Sequence, residues 1–352
     1  MKKSMFFVAG AALALASCSK DEPVSTNNGN AIDFRAAMQT RAAETTTANI
    51  AKFFVTALDK NSANYFTNAE FTKDGSFFTS TPSYYWPSDG SELNFYAYAP
   101  SAAELGGTLV ISKNAKMLGN FAPAAAIADQ KDFITAAATG SKSNESTGVA
   151  LTFEHRLAQI EIKAKNANDG YKFKVQGVRI GKPVSKGAFD FETSAWTLGT
   201  NKTNYAVTYE GSEKSLGAAA VSIMAEENDN AMLLPQQLTA WDSENDKKND
   251  AEGAYLAVKV QIRTKDGARV FPAASVGEYD WVAVAIDTKW DAGKKYVYTL
   301  DFTNGAGKVD PEKPEPTDPT DPDNPGEDIF GGAIKFTVSV SAWVNAAEDI
   351  EM

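Results

Sequence analysis

Apolar and polar positions alternate with a period of two along much of this chain. In Ile32-Asp33-Phe34-Arg35-Ala36-Ala37-Met38, residues Ile32, Phe34, Ala36 and Met38 fall on one side of an extended backbone. Successive side chains of a strand point to opposite faces, so this segment predicts a strand with one buried face. Lys52 to Leu58 is β-branched and aromatic, and Glu92 to Tyr98 alternates well. Between them, Trp86-Pro87-Ser88-Asp89-Gly90 carries turn chemistry. Further strands are predicted at 149–153, 158–164, 171–180, 255–262 and 296–302. Helical periodicity is weak, with room for a turn or two at 123–128 and 215–225. Many short strands separated by Gly, Asn, Asp and Pro predict an all-β chain built of β-sandwiches. A domain boundary is expected near His155.

The segment from Lys308 to Asp328 differs in kind. Pro311, Pro314, Pro316, Pro319, Pro322 and Pro325 recur every two or three residues among acidic side chains. Such a sequence buries no core and is expected to stay extended, stiff and solvated. Beyond it, Ile334, Phe336, Val338 and Val340 share one face of a strand, with Lys335, Thr337 and Ser339 on the other. An apolar-faced strand held on such an arm seeks a sheet edge. It can fold back onto its own second domain, or add to another chain as a donated strand.

The first residues add an address. Lys2 and Lys3 precede an apolar run from Met5 to Ala16 that is too short to span a bilayer. The run ends in Leu15-Ala16-Ser17-Cys18, which resembles a lipobox, with Cys18 the only cysteine and the residue that takes the lipid. Two or three acyl chains on one residue suffice for stable anchoring. Lys20-Asp21-Glu22 resembles the charged signal that sends lipoproteins of the Bacteroides group to the outer face of the outer membrane. Removing seventeen residues leaves 352 − 17 = 335, enough for about two domains.

Charge and side-chain inventory narrow the function. The formal charge of −11 becomes −13 once Lys2 and Lys3 leave with the signal. An acidic surface repels nucleic acid, so none is expected as a partner. One histidine and one cysteine cannot make a thiol–imidazole pair or a His-rich metal site. No P-loop, dinucleotide fingerprint or G-x-S-x-G elbow occurs. No enzyme activity, cofactor or metal is expected, and His155 reads as a packed structural residue. Tyr84, Tyr85 and Trp86 can stack on sugars or pack beside Pro87.

Several short motifs occur in a specific order: the lipobox, Ile32-Asp33-Phe34 before Thr40-Arg41-Ala42, and Tyr84-Tyr85-Trp86-Pro87. Phe153-Glu154-His155-Arg156-Leu157-Ala158, Leu233-Leu234-Pro235-Gln236-Gln237, Gly293 to Tyr298 and Ile334 to Val340 with Trp343 complete the series. With these the chain resembles the fimbrillin family of Bacteroides-group bacteria, subunits of type V pili. The resemblance implies two tandem transthyretin-like Greek-key β-sandwich domains with a detached C-terminal donor strand. It also implies export as a lipoprotein to the outer membrane and cleavage between Arg41 and Ala42 by an Arg-specific surface protease. The expected layout is a signal at 1–17, a lipidated tether with a removable strand at 18–41, sandwiches at 42–154 and 155–307, a linker at 308–330 and a donor strand at 331–352. Ile32, Phe34 and Met38 are then the plug that keeps the precursor inert. Ile334, Phe336, Val338 and Val340 are the donor residues offered head-to-tail to the next subunit, in a filament that supports adhesion. The alternative is a surface lipoprotein or tip adhesin that binds glycans or host proteins without polymerising.

Overall fold

The computed structural model describes residues 31–38, 50–225, 229–273, 277–314 and 323–343. The first half contributes β1 (Phe34–Met38), β2 (Lys52–Leu58), β3 (Asn64–Asp74), β4 (Phe77–Ser80), β5 (Leu93–Ala99), β6 (Thr108–Ile111), β7 (Lys116–Phe121), β8 (Ile134–Gly140) and β9 (Val149–His155). Seven of these close into a barrel in the order β1-β4-β3-β2-β5-β8-β9. The alternation read from the sequence explains the closure. Val149, Leu151 and Phe153 of β9 are buried, and Ala150 and Thr152 between them are exposed. The barrel interior is dominated by phenylalanine rings, so its layers lock by edge-to-face contact.

The second half adds β10 (Ala158–Lys165), β11 (Tyr171–Gly181), β12 (Gly187–Asp190), β13 (Ala195–Leu198), β14 (Tyr205–Thr208), β15 (Lys214–Ser215), β16 (Val221–Ser222), β17 (Ala231–Leu233) and β18 (Gln236–Gln237). The remaining strands are β19 (Tyr255–Thr264), β20 (Arg269–Phe271), β21 (Asp280–Ala285), β22 (Lys289–Trp290), β23 (Lys294–Asp301), β24 (Lys308–Val309) and β25 (Lys335–Ala342). Two sheets, ordered β16-β10-β23-β25 and β14-β11-β19-β21-β24, carry this half. Isoleucine, valine and leucine of β10, β11 and β19 fill the core shared by these strands. A bulge at Gln176 shifts the register of β11 against β19. Beside it, Gly177 lets β14 approach closely: a Cβ there would lie 2.7 Å from the Val207 carbonyl oxygen.

The halves meet in a third sheet, ordered β13-β12-β7-β6, to which both contribute. Leu118 of β7 lies opposite Phe189 of β12. Around this seam Phe54, Tyr98, Leu118, Phe133, Leu157 and Phe189 form a separate buried core.

Three expectations change. The segment 215–225 holds the short strands β15 and β16 and no helix, because its backbone finds partners on β11 and β10. The C-terminal strand is not detached: β25 pairs antiparallel with β23 from Lys335↔Asp301 to Ala342↔Lys294. An apolar face beside an open sheet edge explains this docking, with Phe336 reaching Tyr298 at 6.1 Å between ring centroids. The described ends of the Pro-rich arm are likewise not solvated. Lys308–Val309 pairs with β21, Gly326 N–H donates to the Val309 carbonyl at 3.0 Å, and Asp310 and Asp323 are buried.

Candidate functional site

The first barrel is completed by the strand that the sequence marks as separable. β1 lies parallel to β9, from Phe34↔Val149 to Met38↔Phe153, and touches β4 on its other side at Phe34↔Phe78. Without it, β4 and β9 would each present an unpaired edge. Ile32 and Phe34 are both fully buried. Phe34 sits among Phe71, Phe95 and Phe53 at ring-centroid distances of 4.7, 5.0 and 6.0 Å. Burying two such side chains is worth about 3–6 kcal/mol together, so the seat holds the strand firmly. Arg35 and Ala37 face solvent and Ala36 is half-buried.

The entry of this strand is clamped by the Tyr84-Tyr85-Trp86 segment. Ile32 N–H donates to the Tyr84 carbonyl at 2.8 Å, and Ala31 bridges to Tyr85. Tyr84 stacks on Phe66 at 4.3 Å and Trp86 is buried against Phe95, leaving only Tyr85 of the three exposed. Packing accounts for two of the rings considered for sugar stacking. Cys18, Arg41 and Ala42 lie outside the described residues. For Met38 the backbone alone is described.

At the other end of the chain, Ile334-x-Phe336-x-Val338-x-Val340 repeats the spacing of Ile32-x-Phe34-x-Ala36-x-Met38, with identical residues at the first two apolar positions. Ile334 is buried, Phe336 and Val338 are half-buried, and Val340 is 55% exposed. Gly307 makes room for Ile334: its φ is +75°, and a Cβ there would lie 2.8 Å from the isoleucine Cδ1. Past the strand, Trp343 is buried, its backbone N–H donating to the Gly293 carbonyl at 3.0 Å. The indole stacks on the imidazole of His155, 4.5 Å between centroids and 21° between planes. The His155 Nδ1 lies 2.8 Å from Asp132 Oδ2, and both side chains are buried. His155 is therefore a packed residue.

A family model described as fimbrillin-like matches residues 40–317. The chain belongs to the fimbrillin-like family. Fimbrium subunit Fim1C of Phocaeicola vulgatus is 25% identical over 372 residues, covering 88% of this chain and 94% of its own length. A solved fimbrial protein from Bacteroides vulgatus superposes with a TM-score of 0.58 at 16% identity, covering 89% of this chain and 99% of its own. A cell adhesion protein from Parabacteroides distasonis gives 0.50 at 10% identity, over 91% and 99% of the two chains. At such identities the two structures speak for the fold alone. Both β1 and β25 of this fimbrillin-like chain lie outside the residues matched by the family model.

In this family member the root of the Pro-rich arm is tied to the second half by buried charge. The Arg179 guanidinium pairs with Asp310 and reaches Glu312 Oε2 at 3.2 Å. Lys182 reaches the other Glu312 oxygen at 3.1 Å, and the Trp281 ring lies 4.5 Å from the guanidinium carbon. Burial pushes the Asp310 carboxyl up, and Arg179 beside it pulls the other way. Burial also acts to raise Glu312, but Lys182 and Arg179 outweigh it and hold that carboxyl below its usual range. Sequence reading missed this cluster, because an acid beside a proline looks like any other solvated linker residue. It also missed the Trp343 seat, whose only signal is a tryptophan directly after a strand.

No group of three His, Cys, Asp or Glu among the described residues is placed to hold a metal. A cleft of about 380 Å³ at the seam mixes Lys52, Lys131, Glu104 and Asp229 with Phe54 and Pro100. Within it the Ser101 hydroxyl donates to Glu104 Oε2 at 2.6 Å as part of a helix capping box. Among the described residues no helix is long and apolar enough to cross a membrane.

Proposed function

We propose that this chain is a structural subunit of surface fimbriae, exported as a lipidated precursor and polymerised by strand exchange after proteolysis. In this reading Cys18 carries the lipid, and a surface protease cuts between Arg41 and Ala42. The plug of Ile32, Phe34 and Met38 then leaves the first barrel. The strand 331–352 of the next copy takes its place, with Ile334, Phe336, Val338 and Val340 in the seats of Ile32, Phe34, Ala36 and Met38. Residues 42–154 and 155–307 act as tandem transthyretin-like Greek-key sandwiches, and 308–330 as the arm between body and donor. Such a contact is head-to-tail and does not close on itself, so it builds a filament.

The observation that carries this reading is the pairing of a strand-completed barrel with a second strand of the same apolar pattern. Side-chain burial must drive the exchange. Eight residue pairs join β25 to β23, and the place of β1 offers five with β9 and one with β4. The seats of Ile32 and Phe34 are fully buried, whereas Phe336 and Val338 are half-buried and Val340 largely exposed where they now lie. Completing the burial of Phe336 in the seat of Phe34 contributes on the order of 1 kcal/mol. Withdrawal of Trp343 opposes it.

One observation favours a second reading, a monomeric surface lipoprotein or tip adhesin that binds glycans or host proteins: β25 is already paired along its full length with β23. Filaments formed by the parent chain and lost in Arg41→Ala separate the two. The fimbrial reading expects a lipidated precursor that forms no filaments; filaments of normal length from that variant would contradict it.

A further inference from the structure

The side chains of β25 are held unevenly. Its backbone is paired over all eight residues, yet most of its side chains face solvent. The firm contacts lie at the two ends, where Ile334 is 3% and Trp343 0% exposed. Ile334 packs into the core of its own half. Trp343 does something different: it enters the seam core, alongside side chains from both halves of the molecule. There it lies flat on His155, the last residue of β9, while Asp132 from the loop before β8 holds the imidazole at Nδ1.

The seat is tight but polar demands within it are unmet. The Trp343 indole Nε1, His155 Nε2 and Asp132 Oδ1 are all buried without a hydrogen-bond partner among the described residues. A buried donor or acceptor left unbonded forfeits its hydration. Stacking and apolar packing hold the indole in, and unspent hydrogen-bonding capacity favours letting it out. Trp290 has no such opposition, its Nε1 donating to the Tyr298 hydroxyl at 2.9 Å, whereas Trp86 Nε1 in the first barrel is buried without a partner among the described residues, as that of Trp343 is.

We propose that Trp343 is a releasable latch, and that its seat on His155 and Asp132 is the site that keeps the C-terminal strand stored on its own subunit. Opening the latch frees β25 from one end, because the pairs that remain are those of an exposed edge strand. The inference takes from the fimbrial reading only the idea that the strand is meant to leave. Its test is made on the monomeric full-length chain, so it succeeds or fails independently of filament formation.

Hydrogen–deuterium exchange resolved by peptide reads the latch directly. Trp343→Ala and, separately, His155→Ala are expected to speed exchange across residues 335–342 by about tenfold or more, through local opening of that segment. Peptides from β10 and β19 should be unchanged, and Trp343→Phe, which keeps a ring on the imidazole, should stay near the parent rate. Val340→Ala, at an exposed position of the same strand, should also exchange like the parent. Unchanged exchange at 335–342 in Trp343→Ala, or a rise of equal size in β10 and β19, overturns the latch.

Discussion

Phe34 concentrates the cost of losing the N-terminal strand into one side chain. Its ring is ringed by three others, so truncation removes both transfer energy and packing. Phe34→Ala should destabilise the precursor by about 3–5 kcal/mol, the range for a buried phenylalanine, read as a fall in thermal midpoint. Arg35→Ala, one residue along and exposed, should change stability by no more than about 0.5 kcal/mol. Comparable effects from both variants would mean that β1 is not seated as described. These roles are legible in sequence, since alternate positions in a strand must separate an inner from an outer face. Trp343 was not legible, because nothing in a one-dimensional pattern places a residue beyond a strand's end into a seam between halves.

Individual elements were legible in proportion to how much of their burial is local. β2, β9 and β10 match their predicted positions within two residues at either end, because an apolar stripe at period two leaves little choice. The four-residue strands β6, β12 and β13 were not foreseen. Segments so short gain their structure from partners far away in sequence, and β7 meets β12 about seventy residues on. The resting place of β25 was undecidable for a sharper reason. β1 and β25 share one apolar pattern, so either sheet edge satisfies it. The Pro-rich arm misled because composition cannot show that Arg179 waits for Asp310. Arg179→Ala leaves that carboxylate buried and unpaired, and removing one partner of a buried pair costs about 3–5 kcal/mol. The urea midpoint should fall accordingly; a midpoint within error of the parent would show that the arm's root is not held by this pair.

For the whole molecule, fold class was recoverable from the sequence while connectivity between the halves was not. The halves share a sheet and a core, so the body forms one block, with β1 completing its first barrel and β25 docked on its second half. The family match covers that block and neither of the two strands. Membership in a fimbrillin-like family and the repeated apolar pattern both favour a subunit whose two ends fit each other across copies. The register follows from β1: Arg35 lies opposite Ala150 on β9, so Thr337 of a donated strand, two residues after Lys335 as Arg35 is after Asp33, would lie opposite Ala150 of the neighbouring copy. In the stored state Thr337 lies opposite Thr299 of its own chain.

Cysteines placed at these positions distinguish the two states within assembled material, since strand-paired residues lie within disulfide reach. With Thr337→Cys and Ala150→Cys in one chain, cleavage followed by mild oxidation should give a ladder of covalent multimers on a non-reducing gel. Assembled material that yields no ladder, while Thr337→Cys with Thr299→Cys still closes within single chains, would contradict strand exchange between copies.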